Sequence, residues 1–420
     1  MSNFIFGGCN TVELAQTYGT PLYVMDEEAI RRNCRIYKNS IDAFYNGGGM
    51  ILYASKALSA KFMYRIANEE GLGVDVASGG ELFTALAADF PPEKIYFHGN
   101  NKTRDELAMA LDNNVGRIVV DNIYELMLLD EVAAEKGVVP KILFRIKPGV
   151  EAHTHEFVKV GGIDSKFGIP LEHGEAMEFV RRALSLSNVE LVGVHAHIGS
   201  QIFDYAPFEL AALKLFNFMC EARDKFGVTL TELNLGGGYG IKYTQDDNPI
   251  SYDKYMEYIS VAIKSAAKRL DFPLPYVLME PGRSIVGDAG VTLYTVGGIK
   301  DIKGVRKYIS VDGGMADNPR YTMYGAKYAA TVANRADAPP AEVVTVAGRC
   351  CETDTLIKDI SLPEISVGDI LAVHCTGAYN YALSSNYNKL PRPAMVLVSN
   401  GKHRVVVRRE SYEDLIKNEE

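Results

Sequence analysis

Between residues 50 and 283 the chain repeats one pattern of apolar and polar positions. A short apolar run, often β-branched, ends in a polar or glycine-rich turn, and an amphipathic stretch of helical period follows. The runs are "MILYASKA", "GVDVASGG", "KIYFHGNN", "RIVVDN", "KILFRIKPG", "ELVGVHAHIGS", "ELNLGGGYG" and "YVLMEPGR". Strands buried on both faces read as continuous apolar runs of this kind. Eight β/α units predict an α/β fold, a (β/α)8 TIM-type barrel, with a doubly wound open sheet as the competing reading. The placement of chemistry favours the barrel. Lys56, Asp75, Ser78, His98, Asp121, His197, Gly236 to Gly238 and Glu280 to Arg283 all fall at or just past the carboxyl ends of the runs. Barrel active sites are assembled there.

After residue 285 the period shortens. "GVTLYTVGGIKDI", "RKYISVDGG", "AEVVTVAGR", "DILAVHC" and "PAMVLVSNGKHRVVVRRE" alternate between turn residues, which predicts a second, mostly β domain. The expected division is a barrel over 30–285, with 1–29 and 286–420 in the β-rich domain. The segment "TPLYVMDEEAIRRNCRIYKNSI" reads as a strand and helix leading into the barrel.

Composition narrows the partners. With 420 residues the chain is too long for one ordinary compact domain, and a net charge of −9 argues against nucleic acid or anionic membranes as partners. No basic-then-apolar leader opens the chain, and no apolar run is long enough to span a bilayer. Six cysteines scattered through so long a chain suit a reducing compartment, so a cytoplasmic location is expected.

Several positions carry candidate chemistry. Lys56 ends an apolar run, where burial would lower its pKa toward a nucleophilic amine; the plain alternative is a strand-end lysine reaching for solvent. "LNLGGGYG" offers a backbone cradle for phosphate or merely a tight βα loop. "MEPGRS" adds Glu280 and Arg283 after the last run, where barrel phosphate sites commonly form. His195 and His197 stand two residues apart, and so do His153 and His155. Zinc is conceivable at either pair, but no third ligand of metal-like spacing stands out, and a pocket-lining histidine is the better reading. "DGGMADNPRYTMYG" spells a loop presenting Arg320 and Tyr324, suited to a carboxylate. Tyr379 lies in another loop of small residues. In "GRCCETDT" the adjacent Cys350 and Cys351 show neither redox nor metal spacing. Alternation along an extended segment would turn them to opposite sides.

Taken in order, "YASKA", "GVDVASGGE", "FHGNNK", "HAHIGSQI", "NLGGGYGI", "EPGRSIV", "VDGGMADNPRYTMYGA", "GRCCE", "GAYNYALSSNYN" and "PRPA" resemble the diaminopimelate decarboxylase family of fold type III pyridoxal-phosphate enzymes. The likeness runs from about residue 50 to residue 394. It implies that Lys56 carries pyridoxal 5'-phosphate as an aldimine and that Glu280 faces the pyridine nitrogen, favouring a quinonoid intermediate and decarboxylation. It implies that His197 stacks on the ring and that Asp75 and Ser200 line the cofactor pocket. Gly237, Gly238, Gly282, Arg283 and Tyr379 would hold the phosphate. Arg283, Arg320, Tyr324 and Tyr379 would meet the distal carboxylate of an amino-acid substrate, and Glu352 its distal ammonium. Cys351 would be the proton donor, working across a homodimer with shared active sites. No metal is implied. The expected reaction is loss of CO2 from the D centre of meso-2,6-diaminopimelate to give L-lysine. The alternative enzyme acts on another basic substrate such as ornithine, arginine or carboxynorspermidine. A non-catalytic cofactor-binding relative is a third reading, opposed by the presence of both Lys56 and Cys351. One departure from the family pattern "CESGD" is visible: Thr353-Asp354 replaces Ser-Gly, removing a glycine where positive φ could have been used.

Overall fold

The computed structural model describes residues 2–150 and 165–420, so His153 and His155 lie outside the described residues. The chain forms two compact units. One comprises residues 34–240 and 249–282, the other 1–33, 241–248 and 283–420.

Among the described residues the first unit contains eight parallel barrel strands, one for each apolar run, with a short ninth, Ile169–Pro170, paired beside the fifth. The eight are β1 (Gly49–Ala54), β2 (Gly73–Val76), β3 (Ile95–Phe97), β4 (Arg117–Val120), β5 (Lys141–Lys147), β6 (Glu190–His195), β7 (Glu232–Asn234) and β8 (Tyr276–Met279). Each pairs with the next in sequence, and β8 returns to β1, so the sheet closes into a barrel rather than staying open. Leu52, Tyr96, Val119, Leu143, Val192 and Leu278, from six different strands, form one buried cluster. Burying a side chain of this size stabilises by about 1.5–3 kcal/mol, which explains the need for apolar residues at successive positions.

Polar residues past the strand ends start the helices. Ser78 accepts from the Glu81 amide at 3.2 Å and caps Gly79–Leu86. Thr103 forms a capping box with Glu106 ahead of Arg104–Asp112, and Asn122 caps Ile123–Lys136. After β2, β3 and β4 the chain therefore turns away into helix within a few residues. What remains at the carboxyl end of the barrel is the short run of residues between.

The second unit is built around a long strand, Gly290–Ile302. It pairs antiparallel with Leu22–Asp26, Arg306–Val311 and Ile370–Val373. Glu342–Ala347 and Thr355–Leu362 extend the sheet on one side, and Ala394–Ser399 and Lys402–Val407 on the other. Two apolar clusters fill it, one around Tyr294, Val296, Val344 and Leu356, the other around Leu22, Val24, Leu293 and Val396.

Three local expectations change. Leu22–Asp26 is not the barrel's lead-in strand; it is an interior strand of this sheet, with Leu22 to Met25 buried. Arg320 and Tyr324 do not sit in a loop but begin and end a short helix, Arg320–Tyr324, entered through Pro319, whose fixed φ suits a helix start. Thr355–Leu362 is a strand that the apolar pattern had not revealed, because its exposed Lys358 and Asp359 interrupt the alternation.

Candidate active site

At the end of β1 the backbone tightens into a single 3-10 turn, Ser55–Ala57, which carries Lys56. The side chain is 42% exposed and its Nζ lies 3.1 Å from Oδ2 of Asp75, which pairs with Ala54 between β1 and β2. Lys56 is thus not shut away from water, contrary to the expectation from its apolar run. The 3-10 turn lifts it out of the strand, and a carboxylate rather than burial sets its surroundings. Asp75 itself is wholly buried. Burial raises its carboxyl to about 6, Lys56 opposing the rise and Glu280 adding to it.

Glu280 follows β8 and is surrounded by three nitrogens. His98 Nε2 lies 2.8 Å from Oε1, Asn234 Nδ2 donates to the same oxygen at 2.8 Å, and His195 Nε2 lies 3.1 Å from Oε2. The three come from the ends of β3, β7 and β6. Burial alone would raise the Glu280 carboxyl, but His98 and His195 outweigh it and hold it well below the usual carboxylate range. Burial lowers His195 to about 4, so its ring is neutral at pH 7 and donates from Nε2. Its Nδ1 is buried with no partner among the described residues. His98, His195 and Glu280 also have the composition of a divalent-metal set. The sequence reading lacked such a third ligand because His98 is distant in the chain.

His195 and His197 do not share a strand face. β6 ends at His195, and His197 lies half-buried in the turn beyond it with Ser200. Burial lowers His197 well below the ordinary histidine range, and Lys56 and Arg145 push the same way.

The glycine turn after β7 is required by its neighbours. Gly236 (φ 67°) and Gly238 (φ 123°) have left-handed backbone. A Cβ on Gly236 would lie 2.4 Å from the Ala196 carbonyl oxygen, on Gly237 2.1 Å from that of Glu280, and on Gly238 2.5 Å from that of Gly199. Asn234 ties the turn to the carboxylate, since its Oδ1 accepts from the Gly236 amide at 2.9 Å. Gly282 is close to β1, where a Cβ would meet the Ala54 side chain at 2.9 Å.

The second unit gathers two buried guanidinium groups among phenols. Arg283 donates to Tyr243 Oη at 2.7 Å and lies 4.7 Å from the Tyr379 ring centroid. Arg320 donates to Tyr328 Oη at 2.7 Å and stacks 4.9 Å from the Tyr243 ring. Burial alone would lower the pKa of Arg320, but Tyr243 and Tyr328 reverse the shift. Tyr328 Oη is 3.2 Å from Asn380 Oδ1, and Asn380 Nδ2 is buried with no acceptor among the described residues. Tyr379 sits at φ 61°, a costly backbone for a non-glycine residue. Tyr324 is half-buried at the far end of the short helix. Sequence reasoning missed Tyr243, Tyr328 and Asn380. Among 24 tyrosines nothing marks the first two, whereas Asn380 adjoins Tyr379 in "GAYNY".

The "GRCCETDT" segment bends between Glu342–Ala347 and Thr355–Leu362. Cys350 is buried and Cys351 exposed, although the segment is not extended. Burial, followed by Asp354, raises the Cys350 thiol to about 11. Asp354 shapes the bend. Its Oδ2 accepts from the Cys350 amide at 2.9 Å and its Oδ1 from the Met315 amide at 2.8 Å. Its own backbone is not left-handed, so loss of the family's glycine demands no strained residue here. Asn388 Oδ1 accepts from the Cys351 amide at 3.0 Å, and Tyr387 Oη donates to Glu352 Oε1 at 2.7 Å.

The pyridoxal-binding domain model of pyridoxal-dependent decarboxylases matches residues 27–287. The diaminopimelate decarboxylase of Bacillus subtilis strain 168 is 52% identical over 414 residues, 98% of this chain and 94% of that protein. Among solved structures, diaminopimelate decarboxylase from M. jannaschii in complex with L-lysine superposes with a TM-score of 0.92 at 37% identity, covering 100% of this chain and 96% of that one. The Helicobacter pylori enzyme complexed with L-lysine gives a TM-score of 0.88 at 32% identity, covering 97% and 98%.

Proposed function

The chain belongs to the pyridoxal-dependent decarboxylases, and from that membership we infer that it removes CO2 from the D centre of meso-2,6-diaminopimelate to release L-lysine, the closing step of lysine biosynthesis. The observation that carries the reading is a barrel mouth where Lys56 rests on Asp75 and Glu280 is held as a carboxylate by two hydrogen bonds, from His195 and Asn234, with His98 against it. The fit to pyridoxal 5'-phosphate is supported by that donor set, an accessible amine opposite an ionised acceptor, and by a glycine turn with no room for side chains. When bound, this group supplies the electron sink that accepts the pair left as CO2 departs from Cα.

The roles of the chain's residues follow from their chemistry. Lys56 holds the cofactor through its amine, and Asp75 orients that amine. Glu280 keeps a proton on the pyridine nitrogen. His197 would face the cofactor ring, with Ser200 beside it. Gly237, Gly238, Gly282, Arg283 and Tyr379 bind phosphate. Arg283, Arg320, Tyr324 and Tyr379 bind the distal carboxylate, for which Arg320, charged and paired with a phenol, is well suited. Glu352 receives the distal ammonium. Cys351, exposed on its bend, delivers the proton to Cα.

The working form we propose is a cytoplasmic homodimer in which Cys351 and Glu352 serve the partner's site. Residues 30–285 form the cofactor domain, and 1–29 with 286–420 the β-rich one. The reading is tested by CO2 release from purified protein supplied with pyridoxal phosphate. meso-Diaminopimelate is expected to turn over, with L-lysine as product. Faster turnover of L-ornithine would overturn the substrate, and a wild type that never turns yellow would overturn the cofactor.

A further inference from the structure

We propose that His98 and His195 are positioning residues that aim one free lone pair of Glu280 at the pyridine nitrogen of the cofactor, an inference that rests on the reading above. An ionised carboxylate offers about four acceptor sites. In this barrel Oε1 accepts from Asn234 Nδ2 at 2.8 Å and lies 2.8 Å from His98 Nε2, a close contact that is not aligned as a hydrogen bond. Oε2 accepts from His195 Nε2 at 3.1 Å. Oε1 is thus flanked by two nitrogens and Oε2 by one, so Oε2 is the less crowded oxygen, and the two imidazoles pack against the carboxylate from both sides.

The rings brace one another. Their centroids are 4.7 Å apart and their planes meet at 70°, an edge-to-face contact that restricts rotation of either. Both are buried, as is Glu280, so no water competes with the donors. A neutral imidazole has a further advantage over a lysine or arginine in this place. It satisfies the carboxylate through hydrogen bonds without cancelling its charge, so the full negative charge remains available to a protonated ring nitrogen. His195 is held neutral by its burial, and its remaining nitrogen has no second partner to pull it aside.

Replacement of each histidine by phenylalanine keeps a ring of similar size and removes the donor. In the enzyme reconstituted with pyridoxal phosphate, His98→Phe and His195→Phe are each expected to lower kcat about tenfold or more while KM for meso-diaminopimelate stays within about twofold. The pH at which the visible band of the bound cofactor titrates should move with them, a change that a merely structural role would not cause. His98→Asn, whose short amide withdraws the donor from Glu280, must show the same shift, and it decides the matter if the phenylalanine variants do not fold. His195→Gln, which keeps an N–H donor, should recover part of the loss. Unchanged kcat and an unmoved band in the phenylalanine or asparagine variants would overturn the clamp. The wild-type band and the effect of Glu280→Gln are read in parallel. If the wild type lacks the band, or Glu280→Gln changes nothing, the cofactor reading itself has failed rather than the clamp.

Discussion

A buried guanidinium that meets phenols instead of a carboxylate keeps its charge for an incoming anion, and Arg320 is such a group. Arg320→Lys keeps the charge but loses the planar fork. It is expected to raise KM for meso-diaminopimelate about tenfold or more and leave the cofactor spectrum unchanged; an unaltered KM would remove Arg320 from the substrate site. Lys56→Ala should abolish the yellow colour and turnover together, and any retained band would assign the cofactor's attachment elsewhere. His195 also leaves a mark on stability. Its folded pKa is about 4 against an ordinary 6.5, so between those values the unfolded chain takes up a proton that the folded chain refuses. Its contribution is complete above pH 6.5 and is lost as pH falls toward 4. Urea midpoints measured over that window should therefore fall less steeply with acid in His195→Phe than in the wild type. Most of these groups were legible as residue types at strand ends. Their pairings were not: nothing along the chain links His98 to Glu280, and the accessibility of Lys56 depends on a single 3-10 turn.

At the scale of elements, the bend carrying Cys351 is organised by a side chain wedged between two glycines. A Cβ on Gly314 would lie 2.0 Å from Asp354 Oδ2, and one on Gly348 2.1 Å from the same atom. Neither glycine has left-handed backbone, so the clash alone sets the requirement. Gly314→Ala, whose Cβ would meet only Asp354 atoms, should destabilise by about 1–3 kcal/mol through overpacking. Combined with Asp354→Gly, it should cost less than the sum of the two single changes, because the space is then vacated. Additive losses in a denaturant cycle would show that the wedge is not the cause. Where an element repeats and is buried on both faces, as in β1 to β8, its apolar run suffices to identify it. Arg320–Tyr324 and Thr355–Leu362 escaped notice for opposite reasons. The first is too short to show a period, and the second carries charged residues on a strand with one wet side. Leu22–Asp26 was visible as a strand within the β-rich portion, but its neighbours were not, since its partners at 290–293 and 394–398 lie hundreds of residues away.

For the whole molecule, the proposed sharing of sites between subunits has a direct consequence. Lys56→Ala and Cys351→Ala proteins, each inactive alone, should regain about a quarter of wild-type turnover when their subunits are allowed to exchange, because half of the dimers are mixed and each mixed dimer holds one intact site. No recovery after exchange would place both residues in one subunit's site. The discontinuity of the second unit reaches further, into how the protein is made. Leu22–Asp26 leaves the ribosome early, yet its neighbours in the sheet are translated only after the entire barrel sequence. The nascent chain must therefore hold an apolar strand unpaired while the barrel condenses behind it. Until residues 290–293 and 394–398 have been made, the four buried positions of that strand have no partner strand to cover them.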